Sequence, residues 1–443
     1  MSKISERICS VEYRVIAAIG AGLFIITPVI MAILAIIFRN IDYTVQTYPL
    51  MIRKVIFPAS SFLFFIAILV YIFQMICQKK KFIDVIKENP VIIFFFAVVL
   101  WMLISQIYNG FGYAISGAHV RLREETYTMQ LRYFLLFLPG AALIKSKEYK
   151  SYLIRTHICV SILLAITTFV LYYTQQPSTL YASWTPQYYS IYTNTNYYGY
   201  YLAISVPLCA ASFVGEEKIP FKILGMVGLV ANTVTLSFNN TMGAWVACSA
   251  AMIAIFIGYT MINRRVSVLS IIATVVFGIC LYLPGHFLGS FETNTSELAG
   301  DLLKIINNSE DVNRAGSGRW AIWKKSIDLI LKSPVFGIGF EGIAYRKYFE
   351  YVGNYRPHNE FLQYAVFYGI PTTIMYFCGS FGIVLRGIKK HAILDKPTFI
   401  CLMGAFGYLI SSFFGLTVYC TAPFLFLFLG MGYAGQKTIN AQK

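Results

Sequence analysis

The sequence predicts an all-α integral membrane protein, a bundle of about twelve transmembrane helices, and three observations lead there. Of its 443 residues 57% are hydrophobic and only 13% charged, with a mean hydropathy of +0.63, far from a soluble globular average. The apolar residues gather into runs of about 20, the length that crosses roughly 30 Å of hydrocarbon. Lysines and arginines concentrate in alternate breaks between those runs.

In chain order the predicted spans are about 15–38, 54–77, 90–108, 128–145, 151–174, 196–214, 219–238, 243–262, 266–283, 361–385, 397–415 and 419–436. The first run, about 24 residues with no small-residue cleavage site after it, is too long for a signal-peptide core and reads as a retained helix. The fourth is close to the minimum crossing length and contains Arg132 and Pro139. With the N-terminus inside, every inside segment is basic, from Lys3, Arg7 and Arg14 through Lys79, Lys80 and Lys81 to Arg386, Lys389 and Lys437, whereas 174–196 on the opposite side carries no charge. Both termini are therefore expected on the cytoplasmic side.

This pattern assigns the net charge of +16 to membrane topology and not to nucleic-acid binding. Most of the nine cysteines fall inside spans without metal-ligand spacing, and neither a disulfide framework nor a metal is expected. None of the 20 Asp and Glu residues lies well inside a predicted span, which argues against an ion-coupled carrier. Arg155, His157 and Lys222 fall near cytoplasmic span ends, where long cationic chains snorkel. Arg132 lies near the external leaflet and has two readings, a snorkelling cation or a phosphate ligand suited to its planar guanidinium.

Three regions follow: helices one to nine over 1–283, an external loop over 284–358, and helices ten to twelve over 359–443. The loop is long enough to expect structure and function of its own. From Ser317, SGRWAIWKKSIDLILKSP sets Trp320, Trp323, Ile327, Ile330 and Leu331 at helical spacing, with Arg319 in the first turn and Pro334 past the end. The glycines of FGIGFEG, 336–342, permit a tight turn and close backbone approach, and without a preceding strand they do not mark a dinucleotide site. A second short amphipathic piece, about 341–351, then leads to YRPHNEF. Pro357 suits a first helical turn and sets His358 and Asn359 at the start of the tenth span. A helix N-terminus and Arg356 both disfavour imidazolium, so His358 is expected neutral and able to accept a proton. It reads either as a general base or as an interfacial cap that anchors the loop; His119 and His286 are the other external histidines.

Arg319, Trp323, SPVFGIGFEG and HNEFLQYAVFYGI, with His358, Asn359, Leu362 and Gly369, resemble the signature region of the O-antigen ligase and O-antigen polymerase superfamily. TNTNYYGYYLAISVPL, 193–208, is similar to the asparagine-containing start of a central helix in that family, which brings in Asn196. The resemblance implies a C-type membrane glycosyltransferase without metal or cofactor, acting on the outer face of the bacterial cytoplasmic membrane. It would move a glycan from an undecaprenyl (polyprenyl) diphosphate carrier to a sugar hydroxyl, with membrane lipid, a glycan flippase and a chain-length regulator as partners. One departure stands out. Where the family often has a Thr-x-Ser-Arg-like turn, this chain reads TLSFNNTMGAW, with Asn239 and Asn240 in place of the arginine.

On this reading His358 and Arg319 are the catalytic pair. Arg356, Arg132, Arg121, Arg123, Asn359 and Asn196 bind diphosphate or sugar, Arg132, Arg121 and Arg123 being candidates for the missing arginine. Trp184, Tyr188 and Tyr189 either stack on sugars or form an interfacial aromatic belt. Polymerisation of surface polysaccharide repeat units (O-antigen or capsule) is the first function expected. Ligation to lipid A core is the second, and a lipid-linked glycan or polysaccharide exporter the alternative of another class.

Overall fold

A computed structural model describes residues 11–37, 57–79, 90–110, 127–174, 188–192, 194–263, 266–307, 313–316, 318–339, 356–389, 394–418 and 420–435. Among them there are α-helices and short 3-10 turns and no strand. In chain order the helices are α1 Tyr13–Ile37, α2 Phe57–Cys77, α3 Pro90–Tyr108, α4 Tyr127–Ala142, α5 Lys147–Thr174, α6 Thr195–Gly215, α7 Ile219–Asn239, α8 Met242–Asn263, α9 Val268–Phe287, α10 Ser290–Ile306, α11 Arg319–Lys332, α12 Glu360–Tyr368, α13 Ile370–Lys389, α14 Lys396–Ser411 and α15 Ala422–Gly435. Nine candidate spans among the described residues are long and apolar enough to cross a membrane. The chain is a multi-pass membrane protein.

The other three predicted spans depart from a simple crossing. Span four is α4, only 16 residues, and span twelve is α15, only 14, which at 1.5 Å per residue is roughly 21 Å of helix. Both pack against other helices of the bundle, α15 against α4 and α14. Gly140 and Gly430 let α4 and α15 approach backbone to backbone, since a Cβ on Gly430 would meet the Phe137 carbonyl oxygen at 2.5 Å. The core helix α6 is almost wholly buried between α7 and α14.

Span ten, expected as one helix over 361–385, is broken into α12 and α13 at Gly369. Gly369 has φ 88° and ψ 165°, a region reserved to glycine. Breaking a helix exposes carbonyls that hydrocarbon cannot satisfy. The glycine turn after α11 satisfies them: Ile338 N–H donates to the Val366 carbonyl (2.8 Å) and Gly339 N–H to that of Phe367 (3.1 Å), while Ile370 N–H returns to Pro334 (2.8 Å). Close backbone approach at FGIG is thus approach to the end of α12. Gly337 at φ 65° and Gly339 at φ 73° make the turn. Gly369→Ala is expected to destabilise the protein by about 2–4 kcal/mol, because its Cβ would fall 2.0 Å from the Val335 carbonyl oxygen. Thermal unfolding in detergent checks this, and an unchanged midpoint would show that the break is not needed.

The membrane-end cations are tied down more firmly than snorkelling requires. Arg155 makes a two-pronged ion pair with Glu216 (3.0 and 2.9 Å) and lies 3.4 Å from the Phe221 ring centroid. His157 is fully buried and shares a hydrogen bond with Ser205 Oγ at 3.0 Å. Lys150, fully buried, donates to Asp395 and Thr398, each at 2.6 Å. Lys222 is half-buried.

Candidate active site

Three separate parts of the chain meet at the site: the start of α11, the segment 356–359 ahead of α12, and the link between α14 and α15, which begins with the 3-10 turn Ser412–Phe414. Arg319 is the first residue of α11, entered through Gly318 at φ 84°. Its Nη1 donates to the Phe414 carbonyl at 3.3 Å. Arg356, 5% exposed, donates from Nη1 to the Thr417 carbonyl at 3.0 Å. Two guanidiniums far apart in sequence are therefore held on carbonyls three residues apart in one link. Like charges brought together in this way repel, and an anion between them relieves the repulsion.

His358 faces this pair. Its half-buried side chain is pushed down to about 4, first by burial and then by the charges of Arg319 and Arg356. The expected neutrality holds, but burial is the main cause. The helix contributes less directly than the sequence suggests, because α12 begins at Glu360, Asn359 is its N-cap, and Pro357 lies outside the first turn. The His358 Nδ1 is buried and has no hydrogen-bond partner among the described residues.

The backbone at His358 is strained. Its φ of 51° is left-handed, which costs a non-glycine residue about 1–2 kcal/mol. Both neighbours are pinned: Trp323 Nε1 donates to the Pro357 carbonyl at 2.8 Å, and Asn359 Oδ1 accepts from Leu362 N–H at 3.1 Å. The strain is maintained by those contacts, and it turns the imidazole toward the arginines instead of into the helix. Asn359, expected to bind substrate, thus gives its side-chain oxygen to capping.

Two residues here had no role in the sequence reading. Glu360 is completely buried, accepts from the Tyr376 hydroxyl at 3.2 Å, and has the Thr417 and Tyr408 hydroxyls beside it. Thr417 thereby links the carboxyl to the carbonyl that holds Arg356. Tyr200 of α6, 2% exposed, lies within the field of Arg319, Arg356 and Glu360, and Gly415 leaves room for its ring. The only sequence signal for Glu360 was its place two residues after His358; for Tyr200 it was one helical turn after Asn196.

The remaining candidates are less tightly assembled. Asn196, half-buried, sits in the first turn of α6, where its N–H donates to Asn194 Oδ1. Arg132 lies half-buried on α4, whose Gln130 accepts from Tyr364 of α12 at 2.8 Å; the arginines acting on His358 are Arg319 and Arg356. Arg121, Arg123, His119, Trp184 and the piece at 341–351 lie outside the described residues. His286 pairs with Glu292 at the end of α9. Tyr188 stacks on Tyr172 at 3.8 Å, so that ring face is occupied, and Tyr189 is half-buried. No group of three or more His, Cys, Asp or Glu able to hold a metal occurs among the described residues.

Where the family pattern has arginine, Asn239 has a framework role. Its Nδ2 donates to the carbonyls of Tyr188 (2.7 Å) and Thr195 (3.1 Å), and its Oδ1 accepts from Thr241 (2.6 Å). Asn240, at φ 59°, turns the chain out of α7 and accepts from Asn294. The amide locks the segment before α6 to the end of α7.

Residues 227–377 match the family model described as O-antigen ligase. Over that stretch the chain is similar to the O-antigen ligase family. The matched residues run from within α7 to within α13 and include Arg319, Arg356, His358, Asn359 and Glu360, whereas Arg132, Asn196, Tyr200 and the 412–418 link lie outside them. O-antigen ligase family proteins are glycosyltransferase-like membrane enzymes of the ligase and polymerase type that act on lipid-linked glycans. No curated protein matches the chain.

Proposed function

We propose that this protein transfers a glycan from a polyprenyl diphosphate to a sugar hydroxyl on the external face of the cytoplasmic membrane, and that it polymerises surface polysaccharide repeat units. The observation that carries the reading is the meeting of Arg319 and Arg356 at a neutral, strained His358. The acceptor hydroxyl gives its proton to His358 as its oxygen bonds to the anomeric carbon. The bond from that carbon to the diphosphate oxygen breaks, and the polyprenyl diphosphate leaves with the electron pair. Arg319 and Arg356 hold the departing diphosphate, whose negative charge grows as the bond lengthens. They take over the task that the family pattern gives to the arginine replaced by Asn239. No metal has a part in this step, both termini are cytoplasmic, and Arg132, Arg121, Arg123, Asn359 and Asn196 serve the diphosphate or sugars around this centre.

Purified protein in detergent, given a lipid-linked oligosaccharide as both donor and acceptor, is expected to yield a ladder of lengthened lipid-linked glycan. Transfer to lipid A core with no ladder would make it a ligase. No transfer to either acceptor, together with movement of the intact lipid across a vesicle bilayer, would establish an exporter instead.

A further inference from the structure

Among the described residues Glu360 is the only carboxylic acid that is completely buried, and the proposed transfer gives it no task. The groups touching it are hydroxyls: that of Tyr376 on α13 donates to Oε1 at 3.2 Å, and those of Tyr408 on α14 and Thr417 in the 412–418 link lie beside it. The carbonyl of the same Thr417 accepts from Arg356 at 3.0 Å, so one residue of the link joins carboxyl and guanidinium. The charges of Glu360, Arg356 and Arg319 all reach the hydroxyl of Tyr200 on α6. The other titratable groups around it are Tyr364 on its own helix, His358 just before it and, at the surface, Lys324 of α11. Glu360 Oε2 and Thr417 Oγ1 are both buried, and neither forms a hydrogen bond among the described residues. An ionised carboxyl can only accept, whereas a protonated one also brings a donor.

Charge balance decides between the two forms. Arginine stays protonated and His358 is neutral, so two guanidiniums and an ionised Glu360 leave one net positive charge. A diphosphate esterified at both ends brings two negative charges. With it bound, the site would hold one net negative charge if Glu360 stayed ionised and none if Glu360 were protonated. Uncompensated charge is costly where water is excluded, so the diphosphate favours the protonated carboxyl. Neutrality then lasts through the transfer, because the leaving diphosphate gains a negative charge while His358 gains a positive one.

We propose that Glu360 takes up one proton from water when the lipid diphosphate binds and so matches the charge of the arginine pair to that of the donor, an assignment that rests on the transfer reading above. Glu360 is thus a positioning residue that acts through the 412–418 link and does not touch the reacting atoms. Departure of the polyprenyl diphosphate returns the proton to water.

The test needs no turnover. The full chain in detergent is titrated by calorimetry with farnesyl methyl diphosphate, a diester with no sugar to transfer and no group that titrates near neutrality, in two buffers of different ionisation heat. At about pH 8 the native protein is expected to take up about half a proton or more, and its affinity to fall by up to about tenfold per pH unit as the pH rises. Glu360→Gln keeps the shape and is permanently neutral, so it should bind the probe without proton uptake and without that pH dependence. Infrared difference spectra of the native protein should show a neutral-carboxyl band appearing with the probe. Binding without proton uptake overturns the inference and leaves the transfer reading standing. Uptake that persists in Glu360→Gln also overturns it and assigns the proton to another group, His358 first. Should Glu360→Gln fail to fold, absence of the infrared band in the native protein overturns it. No binding of the probe overturns both this inference and the role of the arginine pair. Proton uptake by Glu360 with no glycan transfer by any form of the protein retains the proton site and overturns the transfer reading.

Discussion

His358→Ala is expected to lower glycan transfer by about 10²- to 10⁴-fold, the usual contribution of a positioned general base. Its pH dependence separates a base from a cap. The imidazole falls from 6.5 to about 4 in the folded protein, and only its neutral form accepts a proton. Transfer measured as kcat/KM should therefore be flat across neutral pH and fall as the pH drops through about 4. With the diphosphate bound its negative charge favours imidazolium, so the acid limb of kcat should lie higher than that of kcat/KM. An acid limb near 6.5 in kcat/KM would count against the buried geometry. The same shift bears on stability. Between 6.5 and about 4 the unfolded chain binds this proton and the folded chain does not, so this contribution is fully present above 6.5 and is lost as the pH falls through that window. His358→Gly supplies the decisive contrast. It removes the imidazole and also the left-handed penalty at φ 51°, so it should be more stable than His358→Ala by about 1 kcal/mol while being equally inactive. A histidine acting only as an anchor would leave both variants active.

Arg319→Lys and Arg356→Lys are each expected to lower kcat by about 10²-fold or more, because a lysine keeps the charge and loses the fork. Each native guanidinium has one N–H committed to the 414–417 link, at 3.3 Å for Arg319 and 3.0 Å for Arg356. A lysine has a single ammonium with which to reach carbonyl and diphosphate together. The loss should fall on kcat more than on KM if the contacts strengthen as the leaving group departs. Arg319→Lys should also let the His358 acid limb move upward only slightly, since the charge is retained, whereas Arg319→Gln should move it further. Activity that survived both lysine variants would remove the arginine pair from the reaction and return attention to Arg132, Arg121 and Arg123.

The site was legible in the sequence where it is local. Arg319 could be assigned to a first helical turn because Trp320, Trp323, Ile327 and Ile330 keep helical spacing up to Pro334. Asn359 and His358 could be assigned to a helix start because a polar pair meets an apolar run, although Pro357 misled by one turn and placed the start too early. The link at 412–418 was not legible. Its contribution consists of two backbone carbonyls, at Phe414 and Thr417, and any residue can supply a carbonyl. Glu360 received no role because hydropathy records composition and not burial, and its partners Tyr376, Tyr408 and Thr417 come from other parts of the chain. The break at Gly369 looked like continuous span because one glycine in an apolar run does not signal which remote N–H groups cap the exposed carbonyls.

Length, hydropathy and the alternation of basic breaks, all one-dimensional properties, were enough for the membrane class and the order of the helices, and the family resemblance added the candidate residues His358, Arg319 and Arg356. Tertiary structure decided what depends on distance through space. It brought two arginines onto one link, buried Glu360 against Tyr376, assigned Asn239 to the framework, and split the tenth span against FGIG. The physical reason is the same in each case: hydrocarbon and protein interior leave no water to satisfy a polar group, so each buried carbonyl, amide or charge takes its partner from whichever helix packs beside it.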